Sequence, residues 1–92
     1  MIEKFKHKGL KALFESGTVT GVKAEHVTRL RRILALLETA ETTEDMDLPG
    51  LKLHELKGKK KGTWAVRVSK NWRVTFKLES GDIFDVNYED YH

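Results

Sequence analysis

The stretch WAVRVSKNWRVTFKL, residues 64–78, decides the fold. Its apolar side chains recur at every second position on both sides of the polar triplet 69–71, which is the pattern of two half-buried strands joined by a turn. A third run with the same period, from Phe84 to Tyr88, follows the turn residues 79–82. The sequence therefore predicts an antiparallel meander that buries one face, with Trp64, Trp72, Phe84 and Tyr88 on the buried side.

Upstream of the meander the apolar period changes to that of a helix. Residues 27, 30, 33, 34 and 37 form one apolar stripe and predict a helix over 23–39, while the apolar residues at 10, 13 and 14 predict a shorter helix over 8–15. Short strands are expected at 2–5 and at 51–57, after an acidic connector. The predicted fold class is α+β, with two N-terminal helices packed on a small, mostly antiparallel β-sheet.

Composition limits the classes of function. The 92 residues suit a single domain spanning 1–92, and the chain has no cysteine, so disulfides and thiolate zinc sites are excluded. The four histidines lack metal-ligand spacing, no glycine-rich loop precedes a helix and no serine elbow is present, so we expect no metal and no cofactor. No signal peptide or membrane span is apparent; we expect a cytoplasmic protein.

Positive charge is concentrated in one part of the chain. Residues 52–77 contain nine basic residues and one acid, Glu55. This asymmetry indicates a polyanionic partner such as RNA. In the meander Arg67, Arg73 and Lys77 alternate with apolar residues, so they share the outward face. Lys52 and His54 are expected to point outward on the strand before it, and His54 and Lys57 come within reach of the other three if the strands are neighbours. The run 59–61 by itself is typical of a solvated loop.

The closing segment NYEDYH, residues 87–92, combines a carboxylate, a phenol and an imidazole. Termini are commonly frayed, so the segment alone is a weak signal. Next to a basic face, however, it completes the groups that a metal-independent ribonuclease needs: a base for the ribose 2′-hydroxyl, an acid for the leaving 5′-oxygen, and fixed positive charge. The candidates are His54, Lys57, Arg73 and His92.

The chain resembles the HigB toxins, a branch of the RelE superfamily of bacterial toxin–antitoxin systems. The resemblance spans nearly the full length and is carried by FKHKGL (5–10) with LF (13–14), KLHELKG (52–58), NWRVTF (71–76) and NYEDYH (87–92). It implies a microbial-ribonuclease-like fold and a metal-independent endoribonuclease that cleaves messenger RNA in the ribosomal A site and so inhibits translation. It also implies a HigA-type helix-turn-helix antitoxin, and contact with operator DNA only through the toxin–antitoxin complex.

The resemblance also implies which residues form the site. The matching active-site positions are His54, Lys57, Asp90, Tyr91 and His92, and Asn71 and Arg73 lie beside them. Our hypothesis from the chemistry is that His92 transfers a proton and is oriented by Asp90, that His54 is the second proton-transfer group, that Tyr91 contacts the nucleotide, and that Lys57 and Arg73 hold the scissile phosphate. The residues expected to bind RNA or phosphate are Arg73, Asn71, Lys52, Arg67 and Lys77.

Three alternatives remain open from the sequence. The first is a non-catalytic ribosome- or RNA-binding module of the same fold, which would tolerate loss of His54 and His92. The others are a gyrase-inhibiting relative and a ribonuclease acting on free RNA. His7 and His26 are expected to be structural, because neither belongs to a motif.

Overall fold

The computed structural model describes residues 1–91. In that range two helices, α1 (Lys8–Ser16) and α2 (Val27–Thr39), precede four strands: β1 (His54–Glu55), β2 (Trp64–Arg67), β3 (Trp72–Glu79) and β4 (Asp82–Asp90). Each strand pairs antiparallel with the next, in the order β1-β2-β3-β4. Short 3-10 turns lie at Ala24–His26, Thr43–Met46 and Gly58–Lys60. The predicted α+β architecture is confirmed.

Both helices follow from local sequence. Helix α1 begins after His7, whose Nδ1 accepts a hydrogen bond from the Leu10 amide at 3.1 Å, and it ends at Gly17 in the left-handed region with φ 73°. The longer helix starts later than predicted, because its first turn is the 3-10 turn Ala24–His26. Its apolar stripe packs in the core with Leu10 and Leu13 of α1 as expected; Val27 is partly buried, and the other four residues of the stripe are buried.

One face of the sheet completes this core. Val66, Val74, Phe76 and Val86 are fully buried in the same cluster as the helical leucines. Trp64 and Trp72 are half-buried and pack against that cluster, and Tyr88 is 5% exposed. Their predicted place on the core side of the sheet is confirmed.

The start of α1 makes a very close approach to the loop before α2. A Cβ atom on Gly9 would lie 2.2 Å from the carbonyl oxygen of Gly21, and a Cβ on Gly21 would lie 2.6 Å from the Gly9 Cα. Two glycines are therefore required where the two backbones touch. This contact sets the distance between the N-terminal segment and the chain that enters α2.

Strand β4 departs from the predicted alternation. Its register with β3 shifts between Thr75 and Lys77, and Asp85 in this region has a left-handed φ of 53°. The bulge adds a residue, so the inward position passes from Phe84 to Ile83, which is fully buried. The expectation that Phe84 faces the core is wrong: it pairs with Lys77 on the opposite face.

The two short strands predicted from the sequence have fewer paired residues in the structure than expected. Residues 2–5 form only two isolated parallel bridges with β4, Ile2 with Ile83 and Phe5 with Val86. The predicted strand 51–57 contracts to His54–Glu55, because Lys52 adopts a left-handed φ of 50° that interrupts extended backbone.

Candidate functional site

The face of the sheet opposite the helices carries the candidate site. Antiparallel partners project to the same face, so the register places Arg67, Arg73 and Glu89 in one row across β2, β3 and β4. The adjacent row runs through all four strands as His54, Ala65, Thr75 and Asn87. The predicted outward face of Arg67, Arg73, Lys77 and His54 is thereby confirmed.

The centre of this face is covered and its rim is open. Ala65 is 0% and Thr75 4% exposed, although the register puts both on the outward face. Lysines from neighbouring segments and Leu56 surround a polar groove of about 180 Å³ over Thr75 and Asn87. The outward face thus carries a small polar groove, with Thr75 and Asn87 in its lining.

Arg73 and Tyr91 stack on each other on this face. The Arg73 guanidinium lies 4.6 Å from the centre of the Tyr91 ring, and its Nε donates to Glu89 Oε1 at 3.2 Å. The Tyr91 amide donates to the carbonyl of Asn71 at 2.8 Å, so the turn before β3 holds the chain that leaves β4. The tyrosine is 40% exposed and presents an aromatic surface beside a cation. Such a surface suits a base and its phosphate.

His54 is exposed and has a defined tautomer. Its Nδ1 lies 3.0 Å from the carbonyl oxygen of Lys52. A carbonyl can only accept, so Nδ1 carries the proton and donates it. In the neutral ring the remaining nitrogen, Nε2, is therefore the unprotonated one. The left-handed backbone at Lys52 turns its carbonyl toward the imidazole, which gives Lys52 an orienting contact in addition to its charge.

The other predicted residues lie at separate places in the fold. Lys57 is exposed and directly precedes the 3-10 turn Gly58–Lys60. Lys77 is paired with Asp85 at 3.9 Å, toward the far end of β3. Asp90 lies opposite Trp72 in the register, which puts it on the helix side of the sheet, whereas Tyr91 stacks on the other side. His92, the predicted proton-transfer residue, lies outside the described residues.

Two histidines have structural positions. His7 caps α1, and burial lowers its pKa below the ordinary value. His26 is 6% exposed; its Nδ1 lies 2.6 Å from the Tyr88 hydroxyl and its Nε2 3.0 Å from the Ser69 hydroxyl. Burial lowers the pKa of His26 and raises that of Tyr88.

Comparison with known proteins identifies the family. Residues 3–92 match the profile of the RelE-like toxins of the type II toxin–antitoxin system HigB. The chain belongs to this family. A relative from Proteus vulgaris, Endoribonuclease HigB, is 47% identical over 92 residues, which is the full length of both chains. The resemblance inferred from the four sequence segments is confirmed, and as a type II toxin the protein has an antitoxin partner.

Solved structures with low sequence identity share the fold. The crystal structure of YafQ from E. coli superposes with a TM-score of 0.65 at 22% identity, covering 98% of this chain and 91% of that one. A YafQ variant gives a TM-score of 0.66 with the same coverage. The RelE-like fold is therefore confirmed. Within residues 1–91, no helix of this toxin is long and apolar enough to cross a membrane.

Sequence reasoning missed several side chains of the toxin's outward face. Glu89, which binds Arg73, has the strand parity of that face, and alternation along 82–90 was sufficient to place it there. Lys6 and Lys60 gave no such signal, because they reach the groove from segments outside the paired strands. Only the tertiary structure brings them together.

Proposed function

We propose that this toxin is an endoribonuclease that cleaves messenger RNA in the ribosomal A site and thereby inhibits translation. Its membership of the HigB family and its full-length relationship to an endoribonuclease support RNA cleavage. The observation that carries the proposal is the outward face itself, where the stacked pair Arg73–Tyr91 shares a surface with His54, whose Nε2 is available for proton transfer.

The proposed reaction needs no group beyond these side chains. A base removes the proton of the ribose 2′-hydroxyl, and the oxygen attacks the adjacent phosphorus. The bond to the 5′-oxygen breaks, an acid protonates that oxygen, and the products are a 2′,3′-cyclic phosphate and a free 5′-hydroxyl. Cations beside the phosphate stabilise the extra negative charge of the transition state.

Roles for the residues follow from this chemistry. His54 acts through Nε2 as one proton-transfer group, with its ring held by the Lys52 carbonyl. His92 is the proposed second group. Asp90 remains the carboxylate proposed to orient it, although the register puts Asp90 on the helix side of the sheet. Arg73 and Lys57 contact the scissile phosphate, and Tyr91 stacks on the nucleotide. Arg67 and Lys77 extend the binding surface to neighbouring phosphates, and Asn71 maintains the position of Tyr91.

The shape of the site supports dependence on the ribosome. His54, Lys57 and Tyr91 are all exposed, so the described surface offers no deep cleft to enclose a flexible RNA. A ribosome that holds the message in a defined conformation supplies the missing orientation, which is worth several powers of ten in rate. We further propose that the toxin acts in the cytoplasm, that its antitoxin is a HigA-type helix-turn-helix protein, and that operator DNA is contacted only through their complex.

The decisive experiment is a cleavage assay on programmed ribosomes. Purified toxin is added to ribosomes that carry a defined codon in the A site, and the new 5′ ends of the message are mapped; free message is treated in parallel. We expect cuts within the A-site codon and none in free message. Uncut message in both reactions, with toxin still bound to ribosomes, would refute catalysis and leave a binding module of the same fold.

Variants then separate proton transfer from binding. His54→Ala should lower the single-turnover rate by at least about a hundredfold, because it removes a proton-transfer group. The matched control is His7→Ala, which removes an imidazole from the helix cap and leaves the outward face intact. Equal rates for wild type and His54→Ala would exclude His54 from the chemistry.

A further inference from the structure

Four lysines converge on the polar groove of the outward face. Lys6 comes from the N-terminal segment, Lys59 and Lys60 from the 3-10 turn Gly58–Lys60, and Lys77 from β3. We call this groove the lysine pocket; Thr75 and Asn87 belong to its lining, and its volume is about 180 Å³. Its charges come from segments far apart in sequence, so the fold itself assembles them.

The pocket has an excess of positive charge. Lys60 lies 3.9 Å from Glu89, and Lys77 lies 3.9 Å from Asp85. Glu89 also accepts from Arg73 at 3.2 Å, so one carboxylate serves two cations. Among residues 1–91, Lys6 and Lys59 have no carboxylate within 4.0 Å. Like charges around one groove repel each other, and an anion that enters it relieves that repulsion.

The pocket adjoins the proposed catalytic pair. Glu89 contacts Lys60 on the pocket side and Arg73 on the other, so the two sites share one side chain. Thr75 lies two residues along β3 from Arg73, a distance of about 6.7 Å at the usual rise of a strand. That spacing is on the scale of a single nucleotide step in an extended RNA strand. Asn87 and Lys59 belong to the lining of the pocket, and both side chains can donate hydrogen bonds to a phosphate.

We propose that the lysine pocket binds a phosphodiester of the message one nucleotide away from the scissile phosphate. The inference rests on the proposed function, since it assigns the pocket to the same RNA strand that the toxin cuts. The pocket therefore holds the register of the message relative to Arg73 and Tyr91, and binding energy gained there positions the reacting linkage.

The test measures binding separately from cleavage. The message carries a 2′-deoxy nucleotide at the cleavage position, which removes the attacking hydroxyl, and the half-saturating toxin concentration is measured on programmed ribosomes. The double variant Lys6→Gln/Lys59→Gln should bind on the order of tenfold more weakly, as expected for lost hydrogen bonds to a charged group. The control Lys8→Gln/Lys11→Gln removes two exposed lysines of α1 and should bind like wild type.

Neutral linkages then identify the phosphate. A single methylphosphonate is placed at each linkage on either side of the cleavage position. With the methylphosphonate at the linkage one step from the cleavage position, we expect the binding of wild type to weaken by the same factor as the lysine substitutions weaken it. The binding of the double variant should not weaken further. The proposal is wrong if, at every linkage, the loss of binding from the methylphosphonate multiplies with the loss from the Lys6→Gln/Lys59→Gln substitutions. It is also wrong if Lys8→Gln/Lys11→Gln weakens binding as much as Lys6→Gln/Lys59→Gln does.

The outcomes distinguish this inference from the proposed function. In one outcome, wild type fails to cut an all-ribose message while the neutral linkage and the lysine substitutions still weaken binding by the same factor, without adding to each other. The pocket assignment then stands and the catalytic proposal falls. If the double variant binds and cuts like wild type, the pocket assignment falls and cleavage stands. Circular dichroism melting curves establish that each variant is folded; all four replaced lysines are exposed.

Discussion

Replacing His26 with alanine should lower the free energy of unfolding by about 3 kcal/mol. The imidazole joins three distant parts of the chain: the entry to α2, the Tyr88 hydroxyl of β4 at 2.6 Å, and the Ser69 hydroxyl of the turn between β2 and β3 at 3.0 Å. Its ring also packs 5.8 Å from the ring of Trp72. The turn that contains Ser69 also contains Asn71, whose carbonyl accepts the hydrogen bond from the Tyr91 amide.

The magnitude follows from what the truncation leaves behind. Each of the two hydrogen bonds contributes about 1 kcal/mol net, and a buried hydroxyl left without its partner costs about as much again. The Tyr88 hydroxyl keeps only a long bond of 3.4 Å from the Lys23 amide. Tyr88→Phe removes one bond and preserves the ring, so it should cost about 1 kcal/mol. The double variant should cost less than the two single variants together, because they remove the same bond.

The pH dependence has a definite sign. Burial lowers the pKa of His26 from its ordinary value of 6.5, so in this range the unfolded chain binds more protons than the folded one. The contribution of His26 to the free energy of unfolding is therefore fully present above its pKa in the unfolded chain. It is lost as pH falls through its lower pKa in the folded protein. The stability gap between wild type and His26→Gln should narrow as pH falls from about 7.5 to 5.

Urea unfolding followed by tryptophan fluorescence measures these differences, with circular dichroism as a second probe. A loss below about 0.5 kcal/mol for His26→Ala, the size of an ordinary surface substitution, would refute the reasoning. A gap that widens toward acid would show that the imidazole is charged in the folded state. Ser69→Ala, which removes the weaker partner, provides an independent estimate of the second bond.

Three further predictions concern the helix entry and the site. Gly9→Ala should lower the free energy of unfolding by about 2 kcal/mol, because the new Cβ would lie 2.2 Å from the Gly21 carbonyl oxygen. Helix propensity alone predicts that the variant is more stable, so a raised melting temperature would exclude the clash. His7→Ala should cost about 1 kcal/mol near pH 7.5 and less near pH 5, since a protonated Nδ1 cannot cap the helix; equal losses in urea titrations at both pH values would contradict this. Arg73→Lys should slow single-turnover cleavage at least about tenfold by removing the stack on Tyr91, and a variant with wild-type rate would remove Arg73 from the site.

The local patterns of the chain were sufficient for most of the fold. The stripe of Leu30, Ile33, Leu34 and Leu37 predicted α2, and period-two alternation predicted β2 and β3 with their buried faces. Alternation failed at Phe84, because the bulge at Asp85 depends on how β4 pairs with β3. A register shift is a property of two strands, and the pattern of one strand does not contain it.

For the candidate site, too, the sequence predicted one part and only the tertiary structure revealed the other. The sequence by itself determined that Arg67, Arg73 and Lys77 lie on the outward side of their strands, because side chains alternate along a strand regardless of what surrounds them. That His54 joins this face follows from the pairing of β1 with β2. Only the tertiary structure decided that the Lys52 carbonyl contacts the imidazole of His54, and that lysines from the N-terminal segment and the 3-10 turn line a groove on that face. Periodicity carries information about nearest neighbours along one element, whereas a hydrogen-bond partner or a shared pocket arises only when distant segments are packed together.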